Sequence, residues 1–319
     1  MRTPCVRPLL TLCMVALLIP LPSAGQTRAT ANGDMPRTGW GDPDLQGTWS
    51  YASLTPLQRP ADLAERKFYT PEEAAARNVS VTRDRPPRPG DVGSYNALWF
   101  DRGQVSPDRR TSLIVSPGDG RLPVSADTEQ RAATQREYRR MHPADSWLDR
   151  SNWDRCITYH GVPPVSTGYN NTYQIFQAPG YVAILVENIH DVRIIPLDGR
   201  PQLDDDIRQW NGSSRGRWEG ETLVVETANF SIQTQHRFPS SSNTRAVERF
   251  TRLDANSIEH QFTIEDATVY TQPWTAVRTM PRLHDYVVYE YACHEGNYAM
   301  TNILNAERAE ERAAGAGSR

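Results

Sequence analysis

The sequence predicts a mostly β protein: an antiparallel up-and-down barrel with a few short helices and an irregular N-terminal arm. Two observations carry this. From Tyr173 onward apolar residues recur with period two through one short segment after another, and turns rich in Gly, Pro, Asn and Asp separate the segments. Closing such a meander removes its exposed strand edges, so a barrel of about eight to ten strands is expected ahead of a two-sheet sandwich.

The first 25 residues read as a secretory signal. Arg2 and Arg7 precede an apolar run over residues 9–19, which is too short to span a bilayer, and Ser23-Ala24-Gly25 offers small residues for cleavage before Gln26. A lipid-attachment box at Cys13 would need a small residue before it, and Leu12 stands there instead. No later stretch approaches the roughly 20 apolar residues of a membrane helix. The expectation is a soluble extracytoplasmic protein, periplasmic or secreted, with no membrane partner after cleavage. Cys5 and Cys13 leave with the signal, so Cys156 and Cys293 remain as a pair in an oxidising compartment and are expected to form a disulfide. Closing their separation of 137 residues is worth roughly 4 to 5 kcal/mol at most in the chain-entropy model. Metal binding is the competing use, since Cys156 precedes His160 and Cys293 adjoins His294. Adjacent strand residues point to opposite faces, which argues against it.

Residues 26–150 form the arm. A strand is expected over residues 45–51, and Thr70-Pro71-Glu72-Glu73 sets an N-cap, an N1 proline and a capping-box glutamate in register for a short helix. Residues 83–90, with three prolines, read as an extended linker. Leu113-Ile114-Val115 runs into the tight Ser116–Gly120 connection, and Ser125 caps a polar helix over 126–141 that His142-Pro143 ends. The barrel core occupies residues 151–305, with strands expected over 173–178, 181–187, 190–197, 215–219, 222–227, 245–253, 257–265, 269–279 and 286–293. Pro179-Gly180 suits the centre of a type II turn between the first two. Residues 306–319 make a C-terminal tail, helical after Asn305.

Asp44-Leu45-Gln46-Gly47-Thr48-Trp49 resembles the Gly-x-Trp start of lipocalin-like barrels, in which the tryptophan closes the barrel floor. Three longer motifs follow, within residues 190–200 (HDVRIIPLDGR), 214–227 (SRGRWEGETLVVET) and 289–298 (YEYACHEGNY). Together they resemble a widespread family of exported bacterial proteins without an established activity, over most of the mature chain. The resemblance implies export and a β fold and no mechanism.

Composition excludes several classes. Against 35 basic residues stand 38 acidic ones, and losing Arg2 and Arg7 moves the net charge from −3 to about −5, which disfavours nucleic acid or an anionic membrane as partner. Lys67 is the only lysine, so lysine-dependent Schiff-base and pyridoxal mechanisms are nearly excluded. Gly212-Ser213-Ser214-Arg215-Gly216 matches the serine-hydrolase string, but a polar segment precedes it and a strand follows, where that motif needs a strand and then a helix. No phosphate loop, dinucleotide turn or paired-histidine zinc motif is present. Neither an organic cofactor nor a metal is expected.

The hairpin over 245–265 carries the chief chemical candidates. A three-residue loop Asp254-Ala255-Asn256, with Asn256 left-handed, pairs Phe250 with His260 and Glu248 with Phe262. Glu248 and His260 then become diagonal neighbours on the apolar, interior face, about 5 to 8 Å apart at Cβ. They are a candidate acid/base pair. The competing reading gives Glu248 an arginine partner and makes His260 a satisfied core histidine. His190 starts a strand near a barrel mouth and is a further catalytic candidate, while Asp191 and Arg193 share the opposite face as an ion pair or ligand-binding groups. His294 and Glu295, with Tyr291 below, end the last expected strand beside the disulfide. Trp210 and Trp218 lie near turns and suit saccharides or aromatic acids as stacking surfaces. These residues point to a small-molecule-binding barrel doing acid/base chemistry, by hydrolysis, elimination or isomerisation. A non-catalytic lipocalin-like carrier is the alternative, and a surface-layer component without a deep pocket is a third.

Overall fold

The computed structural model describes residues 35–63, 65–80, 100–159 and 161–317, with the side chains of His190, Ala316 and Gly317 left aside. The expected signal peptide and the proline-rich 83–90 linker lie outside the described residues.

Strand β1 (Gly47–Ser50) is followed by helix α1 (Pro71–Ser80), strand β2 (Ile114–Ser116) and helix α2 (Ala126–Met141). The caps form as the residues dictate. Thr70 and Glu73 exchange side-chain-to-backbone hydrogen bonds at the start of α1, and the Ser125 hydroxyl accepts from the Thr128 amide at the start of α2. Eight further strands follow: β3 (Thr172–Ala178), β4 (Tyr181–Val186), β5 (Val192–Pro196), β6 (Ser213–Glu219), β7 (Thr222–Ala228), β8 (Arg245–Asp254), β9 (Ser257–Glu265) and β10 (Trp274–Pro281). Helix α3 (Ala299–Gly317) is the last described element.

All strand pairs are antiparallel, and they divide into two sheets, β1-β3-β4-β5 and β2-β10-β9-β8-β7-β6. Among the described residues no continuous ladder closes them into the expected barrel. At one seam β5 meets β6 through side chains: a Cβ on Gly216 would stand 2.6 Å from a Leu197 methyl and 2.8 Å from an Ile195 methyl, so the glycine admits this close approach. At the other seam β1 is joined beside β10 by the bridge Trp49 to Arg282 and by the Leu283 amide donating to the Thr48 carbonyl.

The sheets share one core. Trp49, Tyr173, Ile175, Val182, Ile184 and Ile195 from the first pack on Leu223, Val225, Phe250, Ile258 and Met280 from the second. Burying each large side chain contributes roughly 1.5 to 3 kcal/mol. A second cluster around Trp274, Phe262 and Phe238 closes the far end of the larger sheet. Gly47 adopts φ 131° and lies 3.1 Å, at its Cβ position, from the Arg282 guanidinium, which in turn lies over the Trp49 ring. Any side chain at residue 47 would displace that arginine.

Several expectations need correction. The last expected strand, 286–293, is irregular backbone, with Val287 and Tyr289 well exposed. Among the described residues this alternating segment pairs with no strand, although β1, β2, β5 and β6 are edge strands. The strand expected from residue 190 begins at Val192, because Ile189 turns left-handed (φ 60°) within a single 3₁₀ turn. β10 starts at Trp274, since Asp266 binds the Thr268 amide and hydroxyl and folds the preceding residues into a turn. Helix α3 starts six residues before Asn305. The β8–β9 register is as expected, with Phe250 opposite His260 and Glu248 opposite Phe262. Its turn differs: Asn256 is not left-handed, and the Asp254 carboxylate accepts from the Asn256 amide instead.

Candidate functional site

Inward-facing positions of β5, β8, β9 and β10 bring four ionisable side chains into one line. Glu248 and His260 have no exposed surface, and Arg193 and Arg278 are buried. Arg193 Nη2 donates to Glu248 Oε2 at 2.6 Å, His260 Nε2 lies 3.1 Å from Glu248 Oε1, and Arg278 Nε donates to His260 Nδ1 at 3.0 Å. Arg278 Nη1 continues the line to the Pro164 carbonyl at 2.8 Å. An arginine only donates, so His260 Nδ1 must accept and Nε2 must carry the proton given to Glu248. The imidazole is therefore neutral. Burial, with the positive charge of Arg278, depresses its pKa to about 4. For Glu248 burial acts upward, but Arg193 and His260 outweigh it and hold the carboxyl at about 2. Arg193 is thus paired with Glu248 and not with Asp191, whose carboxylate accepts from the Thr158 hydroxyl at 2.9 Å.

This line sits in packed side chains. The His260 ring stacks on Phe250 with centroids 4.2 Å apart, and the Arg278 guanidinium lies over Tyr51, Tyr173 and Phe262. Arg278 is also where the line meets open space. Beside β10, where β1 diverges beyond Ser50, a cleft of about 380 Å³ is walled by Ser50, Ser53, Asp101, Ser106, Arg278 and Thr279, among others. Burial raises the Asp101 carboxyl above the ordinary aspartate range, the nearby Glu187 charge adds to this, and hydrogen bonds from Asn171 and the Gly103 backbone partly offset it. Glu187 is itself buried and accepts from the Tyr286 hydroxyl. It leads into the turn at Ile189, a β-branched residue at positive φ, a conformation that costs on the order of 1 to 3 kcal/mol and is often found at functional sites.

The other expected site residues with described side chains do not wall this cleft. The His190 backbone ends the 3₁₀ turn before β5, and its side chain lies outside the described residues. His294 and Glu295 are exposed on irregular backbone beyond the disulfide between Cys156 and Cys293. Tyr291 and Trp153 line a separate, open groove of about 440 Å³ there. Trp210 is half-buried with its carbonyl bound by the Thr234 hydroxyl, and Trp218 packs against the shared core. Ser214 is buried within β6, its hydroxyl 2.9 Å from that of Thr227. Sequence reasoning missed Asp101, Arg278 and Tyr173. Arg278 had a usable signal, since alternation along β10 places it inward beside Ala276 and Met280. Asp101 had none, because it lies in an irregular segment far from its neighbours in sequence.

No helix among the described residues is long and apolar enough to cross a membrane. No family model, curated protein or solved structure matches the chain, so the chemistry of these residues carries the functional reading.

Proposed function

We propose that this is an exported small-molecule-binding protein, built as a lipocalin-like barrel opened along both seams into two sheets, that performs acid/base chemistry in the cleft beside β10 at the end of β1. Asp101 is the proton-transfer group in this reading, and the substrate is a saccharide or small aromatic molecule. One observation supports it above the rest: a carboxyl with raised proton affinity, several hydroxyls and a buried guanidinium wall the same cleft. Glu248 and His260 act at one remove, as positioning residues that hold Arg278 at the wall. The carrier alternative calls for an apolar central cavity. The space between the sheets is instead filled by Trp49, Tyr173, Phe250 and their neighbours, which favours the enzyme.

The test is a ligand and turnover screen of oligosaccharides and aromatic esters and acids, run on the mature chain and on Asp101→Asn. The variant is expected to keep the thermal shift of the wild type with a hit and to lose turnover by about 10²-fold or more. Turnover unaffected by the substitution would remove Asp101 from the chemistry. Binding without turnover by either protein would make it a carrier.

A further inference from the structure

A second pocket lies outside the two sheets' shared core, where the turn Ser116–Gly120 folds back over residues 59 and 67. Its volume is about 210 Å³, and its walls include Arg59, Lys67, Asp108, Arg110, Ser112 and Gly118. Arg110 is answered by Asp108 at 2.6 Å. Arg59 and Lys67 have no carboxylate within 4.0 Å among the described residues. Three cations against one carboxylate leave two positive charges on a small pocket.

Arg59 is 5% exposed. Its Nε donates to the Thr111 hydroxyl at 3.1 Å and its Nη2 reaches the Gly118 carbonyl at 3.4 Å, while Nη1 is buried without a partner. A guanidinium so enclosed and so poorly answered is costly unless an anion completes it. Lys67 comes to the same place from the exposed side, its Nζ 4.0 Å from the Cβ position of Gly118. It is the one lysine in the sequence, and it stands where a second cation meets the first. The Ser112 hydroxyl is committed to the carbonyls of Leu57, Ile114 and Gly120, which leaves the two cations as the recognition groups.

We propose that this pocket binds a tetrahedral oxyanion, a phosphate or sulfate group, between Arg59 and Lys67 above Gly118. Arg59 supplies a planar fork of donors and Lys67 a mobile point charge, the combination that suits such oxygens. A water takes about 30 Å³ of liquid volume, so the pocket of about 210 Å³ accommodates the group with a little water or a short ester stem. The site is distinct from the seam cleft and does not depend on its reading.

The experiment is isothermal titration of the mature chain with sodium phosphate and sodium sulfate, against sodium acetate and sodium chloride at equal ionic strength. Phosphate or sulfate is expected to bind where acetate and chloride do not. Lys67→Gln, at an exposed position, should weaken it about five- to tenfold, which is about 1 to 1.4 kcal/mol, and Lys67→Glu should abolish it. Arg121→Gln, which removes a neighbouring charge outside the pocket walls, should leave it unchanged. Glycerol 3-phosphate distinguishes sources: tighter binding than inorganic phosphate marks an ester headgroup, weaker binding the free ion. Equal response to all four salts, an unaffected Lys67→Glu variant, or an equal loss in Arg121→Gln would each overturn the proposal.

Discussion

Glu248 answers Arg193 with one oxygen and His260 with the other, so neither partner can lose it without leaving polar atoms buried and unmatched. Glu248→Gln keeps the volume and removes the charge. It is expected to destabilise the fold by about 3 to 5 kcal/mol in denaturant unfolding, because Arg193 would be left as a buried, uncompensated cation. A variant of unchanged stability that had lost turnover would instead place Glu248 in the chemistry itself. At this scale the sequence was partly legible. Turn length and alternation were enough to bring Glu248 and His260 together, because both are properties of one hairpin. Their arginine partners come from β5 and β10, and only the tertiary fold shows that Arg193 turns toward Glu248 and away from Asp191.

The elements divide along a similar line. Capped helices and strands bounded by tight turns lay close to their expected limits: α2 and β9 match residue for residue, because cap and turn residues act over three or four positions. The misplaced elements depended on neighbours. Residues 286–293 alternate as a strand should, yet alternation shows only which side chains share a face and not whether a neighbouring strand pairs with them, and among the described residues none does. Ile189 breaks the expected strand at 190 because the chain must turn there to lay β5 beside β4, and nothing in a β-branched residue signals a left-handed backbone. Asp101 was invisible for a like reason, since its value as a site residue comes from the cleft and not from its local sequence.

For the molecule as a whole, the buried charges set a dependence on pH. His260 is depressed to about 4 from its ordinary value, so its stabilising contribution is complete above the unfolded pKa of about 6.5 and is lost as pH falls through about 4. In that window the unfolded chain binds more protons, so stability rises with pH. Glu248, also depressed, loses its contribution at still lower pH, as its carboxyl takes up a proton near 2. Stability measured by denaturant unfolding should therefore fall between pH 7 and pH 4, by on the order of 3 kcal/mol from His260, with a contribution of the same sign from His236, whose burial likewise depresses it to about 4. A flat profile over that range would mean that His260 is charged or solvated in the folded protein.

The disulfide between Cys156 and Cys293 also defines a covalent ring. Among the described residues, β3 to β10 lie within it, while β1 and β2 join the sheets from outside. A single protease cut inside the ring cannot release a fragment until the bond is reduced, whereas one in the segment before β3 and outside the ring severs an arm held only by noncovalent pairing. Limited proteolysis run on paired gels, with and without reductant, should separate the two kinds of nick. If a single cut within the ring released a fragment without reductant, the two cysteines would not be joined.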